Sequence, residues 1–99
     1  MSDWTGLPGA DLVTEGLRDL EAGRESVVAL LVAVATTRLR GLGVPVPAHG
    51  YTEAELLLYR ALCREVGDAA YGRYNSLLGR LISFVHALDR EEGRLRAGR

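Results

Sequence analysis

Lysine and glutamine are absent from this 99-residue chain, Asn75 is its only asparagine and Cys63 its only cysteine. All twelve basic residues are therefore arginine. A genome rich in G and C accounts for that choice without any function. Heat adaptation would also thin out Asn and Gln, but it enriches Lys rather than removing it. One cysteine excludes an intramolecular disulfide framework and fits a reducing compartment. Cys63 falls near Leu62 and Val66 in an apolar helical pattern, which reads as a buried, inert thiol. The longest apolar run, residues 27–35, is nine residues long, whereas a membrane-spanning helix needs about 20. The start, Met1-Ser2-Asp3-Trp4, shows no basic segment followed by an apolar stretch, so no secretory signal is read there. The expectation is a soluble, cytoplasmic protein that does not enter a membrane.

Charge of either sign is also not in excess. Twelve Arg against thirteen acids leave a net −1, which gives no global pull toward nucleic acid or an anionic lipid surface. Nucleic acid is accordingly not expected as a partner. The balance is uneven along the chain. Residues 1–59 hold four Arg and eight acids, and residues 60–99 hold eight Arg and five acids. An acidic front and a basic rear can pair within one fold or across a dimer.

What remains is a globular composition, 47% apolar and 25% charged, of a size that makes one domain over residues 1–99. Helical periodicity runs almost throughout, and no segment sustains strand alternation. A first helix is predicted near 9–22, with Pro8 close to its first turn. Val13, Leu17 and Leu20 mark its buried side, while Glu15, Arg18, Asp19 and Glu21 read as solvated. Gly23-Arg24-Glu25 supplies a turn. A second helix, 26–42, carries the long apolar run. Being apolar around most of its circumference, it must be covered on several sides, either as the central helix or by a second subunit. Arg38 and Arg40 suit its carboxyl end.

Gly and Pro then set a loop over 43–51, with His49 read as an exposed loop residue and not as a metal ligand. Thr52 with Glu55 three residues later forms a capping box opening a third helix, 52–66. Leu56, Tyr59, Leu62, Cys63 and Val66 form its stripe. Gly67 stops that helix and Asp68 caps the next. The fourth helix, 69–92, carries a heptad seam of Tyr71, Tyr74, Leu78, Leu81, Val85 and Leu88. A second row of Ala70, Leu77 and Phe84 widens it. The tail past Glu92 is expected to fray. The fold class is thus all-α: a four-helix up-and-down bundle that dimerisation could complete.

Chemistry-bearing patterns are sparse. Gly72, Gly79 and Gly93 recur at multiples of seven, with His86 in the remaining register and Arg73, Arg80 and Arg94 beside them. Such a bare stripe suits close packing inside the fold or between subunits. Asp89 three residues after His86 could orient the imidazole, but no Ser, Cys or second His completes a nucleophilic set. Asn75 beside the seam suits a register-setting role. Trp4 is placed to close one end of the core. No phosphate-cradling Gly loop, zinc spacing or HExxH is present, so no cofactor or metal site is expected.

The order of features resembles a small HEPN-type helical domain over residues 9–90. An amphipathic first helix ends in Leu20-Glu21-Ala22-Gly23, an apolar helix follows, and a Gly/Pro loop precedes two more. The resemblance implies a dimeric ribonuclease in which an Arg a few residues ahead of a His does the chemistry. Here five residues separate Arg80 from His86, and Leu81 stands where that pattern usually has a polar residue. Six positions along one helix place two side chains about 120° apart and about 9 Å along the axis. The pair could act together only if the helix breaks between them or a second subunit contributes. Many HEPN-like domains are non-catalytic partners, including partners of nucleotidyltransferases.

The functional expectation is a small interaction or regulatory module without catalytic activity, acting as a homodimer or with another protein. Its candidate interface is Val27, Leu31, Val34, Tyr74, Leu78, Leu81, Val85, Gly72 and Gly79. The alternative is the HEPN-like ribonuclease using Arg80 and His86, or an accessory domain of a nucleotidyltransferase.

Overall fold

Gly9 stands at φ 76°, a left-handed conformation that a side chain would resist, and from it the chain enters α1, Ala10–Glu21. The computed structural model describes Trp4 and residues 6–97, without the side chains of 92–97. Four further helices follow: α2, Val27–Val34; α3, Thr36–Gly41; α4, Ala54–Val66; and α5, Ala70–Ala97. A 3-10 turn, Gly67–Ala69, joins the last two. Among the described residues there is no strand.

The centre is α2, whose sequence VVALLVAV holds no polar side chain. Such a helix has no face that water can hold, so it must be enclosed. It packs against α1, α4 and α5, and Leu30, Leu31 and Val32 are wholly buried. This chain therefore buries the middle of its own apolar helix, Ala29 to Ala33, and leaves Val27, Val28 and Val34 half-buried at its ends. Burial of each such Val or Leu is worth about 1.5–3 kcal/mol.

Close approach of α1 to α2 depends on Gly16. A Cβ at that position would overlap the Val28 carbonyl oxygen and a methyl of Val32. Gly9 does the same against α5, where a Cβ would lie 2.6 Å from the Arg80 carbonyl oxygen. Among the described residues the close-packing glycines are thus Gly9 and Gly16. At Gly72 and Gly79, where the heptad spacing suggested contact inside the fold, an added Cβ meets nothing within 4 Å.

The turn from α1 to α2 is bonded more heavily than its sequence indicates. Gly23 (φ 72°) closes a Schellman-type end, with the Arg24 amide donating to the Asp19 carbonyl at 2.8 Å. Asp19, read as solvated, is only 7% exposed. Its carboxylate accepts from the Ser26 hydroxyl at 2.6 Å and from Arg24 at 3.4 Å. Ser26 in turn accepts the Ala29 amide at 3.1 Å and so caps α2. An acid that completes a helix cap has a reason to be inside.

The expected single helix over 26–42 is broken at Ala35 (φ −107°, ψ 23°). Thr36 supplies the cause: its hydroxyl donates to the Ala33 carbonyl at 2.8 Å, taking up an acceptor near the break. The segment after α3 is a strap and not a free loop. Val44 and Val46 are buried beneath it, and Arg40 donates to the Val46 and Pro47 carbonyls at 3.0 and 3.4 Å.

At the start of α4 the expected capping box is not made. The helix begins at Ala54 with Glu53 as N-cap and no side-chain capping bond. Gly67 (φ 56°) ends α4 as expected, and Asp68 sits in the 3-10 turn that leads into α5. Backbone helix in α5 continues to Ala97 rather than fraying after Glu92. Its buried side is Ala70, Leu81, Phe84, Val85 and Leu88. Trp4 closes the end of this core edge-on to Phe84, with ring centroids 5.6 Å apart. At 28 residues α5 is about 42 Å long, which raises the radius of gyration to 13.9 Å.

Gly16→Ala should destabilise the chain by about 1–3 kcal/mol or more, because the obstacle is backbone that cannot swing away. Gly72→Ala and Gly79→Ala should each stabilise an isolated chain by about 0.5–1 kcal/mol through helix propensity. Urea unfolding curves with unchanged slopes read both effects. Equal costs at all three positions would contradict this packing.

Candidate functional site

Because α5 buries one side against α2 and α4, its opposite side faces outward from Tyr71 to Arg90. At about 100° per residue, Gly72, Ser76, Gly79, Ser83 and His86 line the outermost ridge, and all are exposed. Beside the ridge run Tyr71, Asn75 and Ile82. Tyr71 is 68% and Ile82 52% exposed, two of the three large apolar side chains left in solvent among the described residues. Tyr71 was assigned to the buried seam and Asn75 to its edge; both stand outside. The continuation of the ridge at Gly93 and Arg94 belongs to the segment whose side chains lie outside the description.

The candidate interface residues divide accordingly. Leu31, Leu81 and Val85 are buried within the chain at 0%, 4% and 8% exposure, so they are closed to a partner as the fold stands. Val27, Val34, Tyr74 and Leu78 are half-buried, packed at the margins of the core. Gly72 and Gly79 alone of the set are open.

Arg80 leaves the ridge sideways to reach α1. One of its guanidinium nitrogens donates to both oxygens of Asp11, at 3.0 and 3.2 Å. Both side chains are largely exposed, at 49% and 72%, so the pair is worth about 0–1 kcal/mol. His86 is exposed on the same helix, which runs unbroken between the two residues. Asp89 faces Arg38 of α3 at 3.8 Å, an ion pair across the fold. Arg80 and His86 therefore stand at their helical separation with no bend to bring them together.

A second cluster lies where α4 meets α5. The rings of Tyr59 and Tyr74 touch edge-on, with centroids 5.7 Å apart. Glu55, free of the capping box, serves Tyr74 instead. Burial, and then the charge and hydrogen bonding of the Glu55 carboxylate, push the Tyr74 phenol above its ordinary value. Cys63 is exposed on α4 rather than buried, because the inner side of that helix is taken by Leu58, Ala61 and Leu62. An open cleft of about 460 Å³ lies between the end of α2 and the start of α4, lined by Ala33, Tyr51, Glu53, Glu55 and Leu56. Among the described residues no three of His, Cys, Asp and Glu converge as a metal set.

Sequence reasoning missed Asp11 as the partner of Arg80. The two are 69 positions apart, and no local spacing connects them. It also missed Tyr71 and Ile82 as exposed, although a helical wheel centred on Ala70, Leu77 and Phe84 places both well away from the core.

Because the raised phenol keeps its proton longer in the folded chain, the associated stability is intact below pH about 10 and lost as pH rises through the folded value. Absorbance titration near 295 nm should show one tyrosine ionising later than the others, and Glu55→Gln should bring it back toward them. Four coincident tyrosines would contradict the Glu55 contact. In comparisons with known proteins, the chain matches no family model, no curated protein and no solved structure.

Proposed function

We propose that this chain is a small helical interaction module without catalytic activity, acting as a homodimer, its up-and-down bundle joined to a second copy along the outer side of α5. One observation carries the reading. Tyr71 and Ile82 are more than half exposed beside a ridge where Gly72 and Gly79 leave open space. Exposed large apolar groups next to a bare backbone suit a closely approaching helix, since dispersion contacts grow as two backbones draw near. Covering of α2 within the chain moves the interface away from Leu31, Leu81 and Val85 to this outer side. The same side would serve an unidentified protein partner.

Size-exclusion chromatography with light scattering and an absorbance ratio tests the reading directly. The expected mass is twice 10.7 kDa, without bound nucleic acid. Ile82→Asp should halve that mass and leave helical circular dichroism unchanged. A wild-type mass of one chain overturns the dimer.

A second reading, the HEPN-like ribonuclease, draws on His86 lying exposed in the middle of the same side. On one straight helix Arg80 and His86 point about 120° apart, so joint action needs residues from two copies. That reading requires RNA cleavage by the wild-type protein, abolished in His86→Ala with folding intact. Intact RNA after incubation with wild type removes it.

A further inference from the structure

His49 lies where the strap after α3 crosses the break between α2 and α3. The Gly/Pro loop predicts an exposed His49, but the residue is half-buried and both ring nitrogens are engaged. The Tyr51 amide reaches Nδ1 at 3.2 Å. A backbone N–H can only donate, so Nδ1 must accept and the ring hydrogen must sit on Nε2. Nε2 is 2.7 Å from the Thr36 hydroxyl oxygen, to which it donates. Thr36 gives its own hydrogen to the Ala33 carbonyl at 2.8 Å. The Tyr51 ring stacks on the imidazole, with centroids 5.5 Å apart and planes 29° from parallel. Every hydrogen in this chain has one direction, and only a neutral imidazole can complete it.

We propose that His49 is a proton-operated clasp: a second proton on the ring releases the strap at Tyr51 from the α2–α3 joint. With Nδ1 protonated, two N–H donors face each other where a donor met an acceptor. The ends of the chain, Ala33 and Tyr51, are also walls of the cleft at the start of α4. Release therefore acts on the shape of that cleft.

The charged groups of the neighbouring elements are engaged elsewhere or exposed. α2 has no ionisable side chain. From α3, Arg40 is committed to the Val46 and Pro47 carbonyls and Arg38 to Asp89. At the start of α4, Glu53 and Glu55 are exposed, and Glu55 acts on Tyr74. Among the described residues no carboxylate lies within ion-pair distance of His49.

Proton–nitrogen correlation spectra of the full chain from about pH 8 to about pH 5, the range in which histidines ordinarily change charge, test the clasp. The Tyr51 amide should shift with the same midpoint as the His49 ring resonances. Its protection against hydrogen exchange should fall about ten-fold, the loss expected for one hydrogen bond. His86, exposed on α5, serves as internal reference, and a change at its ring should leave the Tyr51 amide unmoved. Thr36→Val, which keeps the side-chain shape but removes the hydroxyl, should weaken Tyr51 protection already at neutral pH. A Tyr51 amide that stays protected and unshifted after the His49 ring has titrated overturns the proposal. So does full protection in Thr36→Val.

Discussion

Enclosing an eight-residue helix that has no polar side chain is the constraint on which this structure depends. α2 cannot present any side to water, so each neighbour is placed by the need to cover it. α1 approaches to backbone contact because Gly16 has no side chain. The Asp19–Ser26 bond holds the turn that folds α1 back and also caps α2, so one acid serves packing and helix initiation together. At the other end Thr36 ends the helix by taking the Ala33 carbonyl, and the chain then departs as α3 and the strap.

Covering α2 determines what stays outside. Only one side of α5 is needed for the core, and a 28-residue helix is far longer than the helices that pack against it. The outward ridge of Gly72, Gly79 and His86 is what remains, with Tyr71 and Ile82 beside it. An acid of the acidic front meets a base of the basic rear at the surface in Asp11 with Arg80, while in Arg38 with Asp89 the signs are reversed. Such pairs add little energy, but they tie α5 to α1 and α3 across the fold. Arg80 is thus already engaged in the chain.

The helical class, the turn at Gly23, the stop at Gly67 and the need to cover the apolar helix were legible because each rests on local chemistry. Periodicity, a left-handed glycine and an all-apolar run need no knowledge of neighbours. Asp19 and Cys63 were misplaced in opposite directions for one reason. An acid is read as solvated until its hydrogen-bond partner is known, and a thiol in an apolar stripe is read as buried until the stripe's inner edge is known. Thr52 and Glu55 had the spacing of a capping box, yet Glu55 found Tyr74 on another helix. The glycines repeated the lesson: regular spacing drew attention to Gly72 and Gly79, while the contacts that tolerate no side chain are at Gly9 and Gly16.

By itself the sequence determined that the chain is helical, that its apolar helix needs cover, and that turns fall at Gly23 and Gly67. Those are consequences of side-chain polarity and backbone preference, which act within a few residues. Only the tertiary structure decided which helix sides meet, that one chain buries the middle of α2, and that α5 keeps an open ridge. It alone joined His49 to Thr36 and Tyr51 in a chain of hydrogen bonds that depends on a neutral ring. Such pairings arise between segments distant in sequence, where the geometry of the fold sets the partner.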